Sequence, residues 1–208
     1  MTLPREFYDR PTLEVARDLV GKLLVHHTRG TTTSGIIVEV EAYIGESDPA
    51  CHAAPGRTRR NAPLYGPPGI AYVYLNYGIH RLVNAVTEPQ DSPAAVLIRA
   101  LEPADGVATM RRRRRQPTKG RRTAGAIELP DSALCRGPGN LTQAMGITLA
   151  DCGCDLTGTT LFIDDVGGTS ADLVWGPRIG IRVGTDRPWR AWLAGHPSVS
   201  ATREAPGI

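Results

Sequence analysis

Residues 36–43 read Ile-Ile-Val-Glu-Val-Glu-Ala-Tyr and alternate with a period of two. On an extended chain Val38, Val40 and Ala42 point one way while Glu39, Glu41 and Tyr43 point the other. The stretch predicts a strand with one face packed on a core. Two readings fit the second face. It is either the solvated acidic outside of an amphipathic strand, or an acid held rigidly beside an aromatic ring, able to do acid–base work on a flat molecule.

A second stretch, residues 71–86, carries two strand-like runs around Tyr77-Gly78. Glycine supplies the positive φ of a tight turn, so the stretch predicts a β-hairpin with Tyr77 near its tip and Tyr72 and Tyr74 on one face. Only 5% of the residues are aromatic, yet four of the six tyrosines (Tyr43, Tyr72, Tyr74 and Tyr77) fall in these two stretches. This concentration suits a stacking pocket, although tyrosine also favours strands and packs across them.

A chain of 208 residues predicts one domain, spanning 1–208, with a core of its own. No run is long and apolar enough to span a bilayer, and residues 1–10 lack a signal-peptide pattern; both predict cytoplasm or nucleoid. Cys152 and Cys154 are one residue apart, not the two of a zinc pair, so Cys51, Cys135, Cys152 and Cys154 read as reduced thiols and no metal is expected. The net charge is only +3, but arginines are unevenly placed. Residues 111–115 are all arginine, with Lys119, Arg121 and Arg122 beyond them, and Arg57, Arg59 and Arg60 form a second cluster. Such clusters fit phosphate contact; a solvated, flexible loop over 111–128 fits equally.

In chain order, the pattern predicts a helix over 12–20 with Thr12 as N-cap. A strand over 23–26, a turn over 31–35 and the Glu41 strand follow, then a long loop over 46–68. Arg99 interrupts an apolar strand over 94–101 and needs either a carboxylate partner or a solvent-facing edge. Helices are expected over 102–112 and 137–145, strands at 161–163, 179–183 and 189–193, and a frayed tail over 201–208. Short strands dominate, which implies an α+β domain with a curved, mostly antiparallel sheet, a few short helices and a protruding hairpin.

Several motifs occur in order: Glu-Ala-Tyr at 41–43, His52, Thr58-x-Arg60-Asn61, Gly66-Pro67-x-Gly69, Tyr72-Val-Tyr74-x-x-Tyr77-Gly78, Asn84, Val96-Leu-Ile-Arg99-Ala-Leu-Glu102-Pro103 and Gly137-Pro-Gly-Asn-Leu141. Together they resemble the alkyladenine (3-methyladenine) DNA glycosylase family over about residues 13–200. Each motif is weak alone; the ordered set is specific.

The resemblance implies a monomeric, cofactor-free enzyme that extrudes a damaged purine from double-stranded DNA and hydrolyses its bond to deoxyribose, leaving an abasic site. It implies that Glu41 activates the water and that Arg99 orients Glu41 and contacts that water. Tyr43, His52 and Tyr74 would sandwich the base, with a cation–π gain for charged alkylated purines. Asn84 would crowd the exocyclic amino group of guanine. Tyr77 would fill the vacated stack from the minor groove. Tyr72 matches the pattern without an assigned role. Arg57, Arg59, Arg60, Arg111, Arg112 and Arg113 are candidates for the DNA backbone. Leu64-Tyr65, Asn76 and His80 depart from or vary within the pattern. Lyase chemistry needs an amine, and the two lysines, Lys22 and Lys119, lie in no motif; the expectation is a monofunctional enzyme. A catalytically silent damaged-DNA-binding module and a small-molecule nucleoside hydrolase are the rival readings.

Overall fold

A computed structural model describes residues 1–115, 129–167 and 172–200. Within them run α1 (Arg5–Tyr8), α2 (Thr12–Leu19), β1 (Leu23–Thr28), β2 (Thr31–Ile44), β3 (Ala71–Asn76), β4 (His80–Val86), β5 (Ala94–Pro103), α3 (Val107–Arg115), α4 (Asp131–Leu134), α5 (Pro138–Met145), β6 (Leu161–Asp164), β7 (Leu173–Gly176) and β8 (Arg190–Leu193). The strands form one curled sheet in the order β3-β4-β5-β2-β1-β6, with β8 paired to β2 and β7 to β8. All of these pairings are antiparallel. The fold is α+β, as the sequence implies.

The 14-residue β2 organises the sheet. One edge pairs with β5 along residues 35–44; the other pairs with β1 along 31–36 and with β8 along 39–41. A strand paired on both edges and covered on both faces is buried along its middle, and residues 38–42 are all fully buried. Gly35 permits the close approach of β5, because a Cβ there would lie 2.8 Å from the Glu102 carbonyl oxygen. Helix α2 covers the sheet with Val15, Ala16 and Leu19, and α5 with Leu141, Ala144 and Met145; both stripes follow the helical period. A second apolar cluster around Leu64, Tyr65, Tyr72, Val86 and Ala95 sits under the long loop.

Several local expectations are corrected. Residues 31–35 belong to β2; the turn lies at Arg29 and Gly30, whose φ values of 50° and 70° close a two-residue hairpin. The threonines that suggested a turn are paired across the ladder, where β-branched residues do well. Thr12 is the first residue of α2, not its cap; Pro11 precedes the helix, and the Thr12 hydroxyl bonds Thr87 and Glu88. Glu102 and Pro103 end β5, opposite Ile36 and Gly35, so helix α3 begins only at Val107. Residues 179–183 form no strand: Gly180 within them and Gly184 just after them are at positive φ. β7 lacked a clear signal in the sequence.

The basic segment is corrected in part. Residues 111–115 are helical, and helical spacing turns several of the arginines inward. Arg111 bonds Asp131 at 2.6 Å, Arg113 bonds the Ala144 carbonyl at 3.0 Å and Arg114 bonds Gln143 at 2.6 Å. The remainder of the expected loop, residues 116–128, and the tail at 201–208 lie outside the described residues. Among the described residues no helix is long and apolar enough to cross a membrane.

Candidate active site

A cavity of about 310 Å³ opens between the long loop, β3, β4, β5 and residues 179–181. That is the lower end of the range for small-molecule pockets. Tyr43, His52, Tyr74, Asn84 and Arg99 all line it, and Tyr77 stands at its rim. The structure therefore brings six of the expected residues to one place.

Glu41 lies one layer deeper. It is fully buried, and three of its partners line the cavity in its stead. Its Oε2 accepts from the Tyr43 hydroxyl at 2.8 Å and pairs with Arg99 Nη1 at 3.0 Å. Its Oε1 accepts from the Ile179 amide at 2.6 Å. A carboxylate offers about four lone-pair sites, so these three donors leave room for one more. Burial first, then the neighbouring Glu41 charge, hold the Tyr43 phenol well above its ordinary range, so it remains a donor. Burial alone would lower the Arg99 guanidinium, but the Glu41 and Glu39 carboxylates outweigh it and hold the charge in place.

Arg99 reaches this position because the ladder breaks. Ile37 faces Leu101 and Glu39 faces Ala100, but Val40 faces Ile98; Val38 on β2 and Arg99 on β5 are skipped in register. Such bulges re-aim a side chain. Of the two environments open to an arginine in an apolar strand, the structure has the carboxylate partner, not the solvent-facing edge: Arg99 is only 6% exposed. The same holds for the second face of β2, which is interior rather than solvated.

The aromatic residues form a cluster. Tyr72 and Tyr74 stack with centroids 5.3 Å apart, and His52 meets Tyr74 edge-on at 4.4 Å. His52 and Tyr74 touch, so they make a single wall rather than two sides of a slot. The Tyr72 hydroxyl lies 2.9 Å from His52 Nδ1, which gives Tyr72 the task of orienting the imidazole. Burial and then the nearby Arg60 lower the His52 pKa, favouring the neutral ring. Burial and then Glu41 push the Tyr74 phenol up to about 12. Asn84 donates to the Tyr72 carbonyl at 2.9 Å across the β3–β4 ladder, which fixes its amide.

Tyr77 is 84% exposed at the tip of the hairpin, with φ 49°. Gly78 follows at φ 68°, and the Ile79 amide closes the turn onto the Asn76 carbonyl at 3.1 Å. Two successive residues in the left-handed region suit Gly78 and strain Tyr77. Arg60 braces this strand through the Leu75 carbonyl at 3.1 Å. Arg57 pairs with Asp91 at 3.2 Å and lies over the Tyr65 ring, while Arg59 and Arg112 are exposed. Arg111 and Arg113 face other elements, as described.

Residues 178–180 were missed as site residues: a strand is expected over 179–183, and Arg178 falls just outside it. The Arg178 side chain is fully buried and grips Asp48 through two nitrogens, at 2.6 and 2.8 Å. It also donates to the Ala42 carbonyl at 3.0 Å and lies 4.6 Å from the Tyr43 ring centroid. This clamp fixes the segment whose next amide holds Glu41. In the sequence, only an arginine followed by Ile-Gly-Ile marks the segment, and its partner Asp48 lies 130 residues away. All four cysteines are free, and no His, Cys, Asp and Glu cluster among the described residues has the makings of a metal site.

Residues 6–197 match the family model described as "Methylpurine-DNA glycosylase (MPG)". Among similar curated proteins, one from Burkholderia lata is 47% identical over 201 residues, covering 95% of this chain and 90% of the relative. One from Prosthecochloris aestuarii is 43% identical over 206 residues, covering 97% and 92%. One from Methanocella arvoryzae is 47% identical over 209 residues, covering 99% and 98%. Each bears the name "Putative 3-methyladenine DNA glycosylase". With the match running from α1 to beyond β8, the chain belongs to the methylpurine-DNA glycosylase family.

Proposed function

We propose that this DNA glycosylase extrudes alkylated or otherwise damaged purines from duplex DNA and hydrolyses the N-glycosidic bond with a water activated by Glu41. The observation that carries the reading is the hydrogen-bonded carboxylate beneath an aromatic cavity, with Tyr43, Arg99 and the Ile179 amide between them. The fourth acceptor site of Glu41 takes the water, and Arg99 contacts both. As the bond to the base lengthens, positive charge gathers on the sugar, and a fixed carboxylate stabilises it. The base stacks between Tyr43 and the joined wall of His52 and Tyr74. Asn84, held by the Tyr72 carbonyl, disfavours guanine by crowding its exocyclic amine. Tyr77 enters the minor groove and fills the gap in the stack. Arg57, Arg59, Arg60 and Arg112 face the phosphates; Arg111 and Arg113 are committed to Asp131 and Ala144.

The enzyme acts as a monomer and needs no cofactor. Lyase chemistry is absent in this reading: Lys22 is tied to Asp165 at 2.7 Å and is no part of the cavity. The silent-binder alternative gains from the burial of Glu41, which keeps its charge from facing the DNA. What favours catalysis instead is that three donors converge on one interior carboxylate next to the cavity.

The test is incubation with duplexes carrying a single hypoxanthine, ethenoadenine or 7-methylguanine. The expected product is an alkali-labile abasic site, with no nick before alkali and no adduct trapped by borohydride. Tight binding of lesion DNA with no abasic product would overturn the reading in favour of a binding module. A trapped adduct would overturn monofunctionality.

A further inference from the structure

Glu39 lies two residues before Glu41 on the same face of β2, and it too is fully buried. It is no part of the cavity wall. Its Oε1 accepts from Arg99 Nε at 3.0 Å and from Arg190 Nη1 at 3.1 Å; its Oε2 accepts from the Ser200 amide at 2.9 Å. We propose that Glu39 is a positioning residue for base excision, holding the Arg99 guanidinium in the orientation that presents Nη1 to Glu41 and the cavity. The inference rests on the function proposed above.

Geometry carries the argument. Arg99 is skipped in the β2–β5 register, so the ladder does not fix its backbone as it fixes its neighbours. The guanidinium is planar and rigid, and it serves two carboxylates through different nitrogens: Nε to Glu39, Nη1 to Glu41. Anchoring one nitrogen sets the direction of the others. With Glu41 as its only partner, the head group would keep a rotation about that single contact. Glu39 removes this freedom while staying clear of the cavity.

Charge points the same way. Two carboxylates, Glu39 and Glu41, face two guanidiniums, Arg99 and Arg190, in one buried network. Tyr43, Tyr74 and Arg178 also face Glu41, and Asp48 balances Arg178. Arg190 lies against the Trp192 ring at 4.0 Å and donates to the same Glu39 oxygen as Arg99 Nε. Without the Glu39 charge, Arg190 would lose its carboxylate and Arg99 would keep only Glu41, with Nε left unanchored. A purely structural role for Glu39 would predict lower stability with an unchanged rate per folded molecule.

The experiment measures single-turnover excision per active site, titrated with abasic-site DNA, for Glu39→Gln, Arg99→Lys and the double variant, with Glu41→Gln in parallel. Misplacement of about 1 Å costs up to about 10²-fold, so Glu39→Gln is expected to slow excision roughly 10- to 100-fold while abasic-DNA affinity stays within about threefold of wild type. Lysine cannot serve both carboxylates through separate nitrogens, so in the Arg99→Lys background the same change is expected to cost less than about threefold. A rate per active site within threefold of wild type, or equal losses in both backgrounds, would overturn the proposal. Should Glu39→Gln fail to fold, Glu39→Gln/Arg190→Gln keeps carboxylates and guanidiniums equal in number and takes its place under the same two criteria. If Glu41→Gln retains full activity, the proposed function fails instead, and the two failures remain distinct.

Discussion

The bulge between β2 and β5 and the tip of the β3–β4 hairpin represent opposite ways of building a functional residue. Glu41 is fully buried and bonded to three donors, on a strand paired along both edges. Tyr77 is 84% exposed, at positive φ, beyond the last ladder pair of an edge hairpin. The first residue is held by three donors on three different segments, the fixed placement that charge stabilisation would require. The second needs reach, because its proposed partner is a gap that exists only after the base has left. In the proposed function, chemistry belongs to the sheet centre and engagement to the sheet edge, so the two should fail separately when mutated.

The largest expected effect is on chemistry alone. Glu41→Gln keeps shape but cannot take a proton, so excision should fall about 10²–10⁴-fold, with lesion-DNA affinity close to wild type. Single-turnover rates and equilibrium binding check both halves. A rate within threefold of wild type would remove Glu41 from the chemistry.

Next is the clamp that supports the buried side. Arg178→Met leaves Asp48 buried without its two-pronged partner, and such losses cost about 3–5 kcal/mol. The lower end is expected, since Arg187 Nη1 lies 3.6 Å from the same carboxylate. Urea unfolding measures it; a loss below about 1 kcal/mol would mean that Arg187 takes over fully.

The tip comes third. Tyr77→Ala should weaken lesion-duplex binding by about 1–3 kcal/mol, the stacking of one base on one ring. The loss should be largest when the lesion is paired with its normal partner and smaller opposite a gap or mismatch. Equal losses on both substrates would place Tyr77 in the pocket's own stability rather than in extrusion.

The smallest effect separates two adjacent arginines. Arg112→Gln should make the slope of log affinity against log salt shallower by about 0.9, one phosphate contact. Arg113→Gln should leave the slope alone and cost about 1 kcal/mol of stability, because its bond goes to Ala144. Reversed results would exchange their roles.

The exposed side of this comparison was the easier to read from sequence. Tyr77-Gly78 between two alternating runs specifies a hairpin and its tip by local chemistry alone. The buried side was half legible. Period-two alternation put Glu39, Glu41 and Tyr43 on one face, but alternation cannot tell an inside face from an outside one when a strand is paired on both edges. The bulge that aims Arg99 leaves no mark in the residue pattern. Residues 178–180 were misread because Ile-Gly-Ile resembles a short strand, whereas their conformation is set by a salt bridge to Asp48, 130 residues away. The arginine run shows the same limit: composition counted five charges, and only helical geometry reveals which of them turn inward. The ordered motifs of the family supplied what local rules could not.

The separation of engagement from chemistry is tested most directly by stopped-flow fluorescence with 2-aminopurine beside the lesion, which resolves extrusion from excision in one time course. For Glu41→Gln the account predicts an extrusion phase within twofold of wild type and a nearly abolished excision phase. For Tyr77→Ala it predicts a smaller extrusion amplitude, with an excision rate per extruded base close to wild type. Both phases slowing together in Glu41→Gln would contradict it, since the buried carboxylate would then be part of what holds the base out.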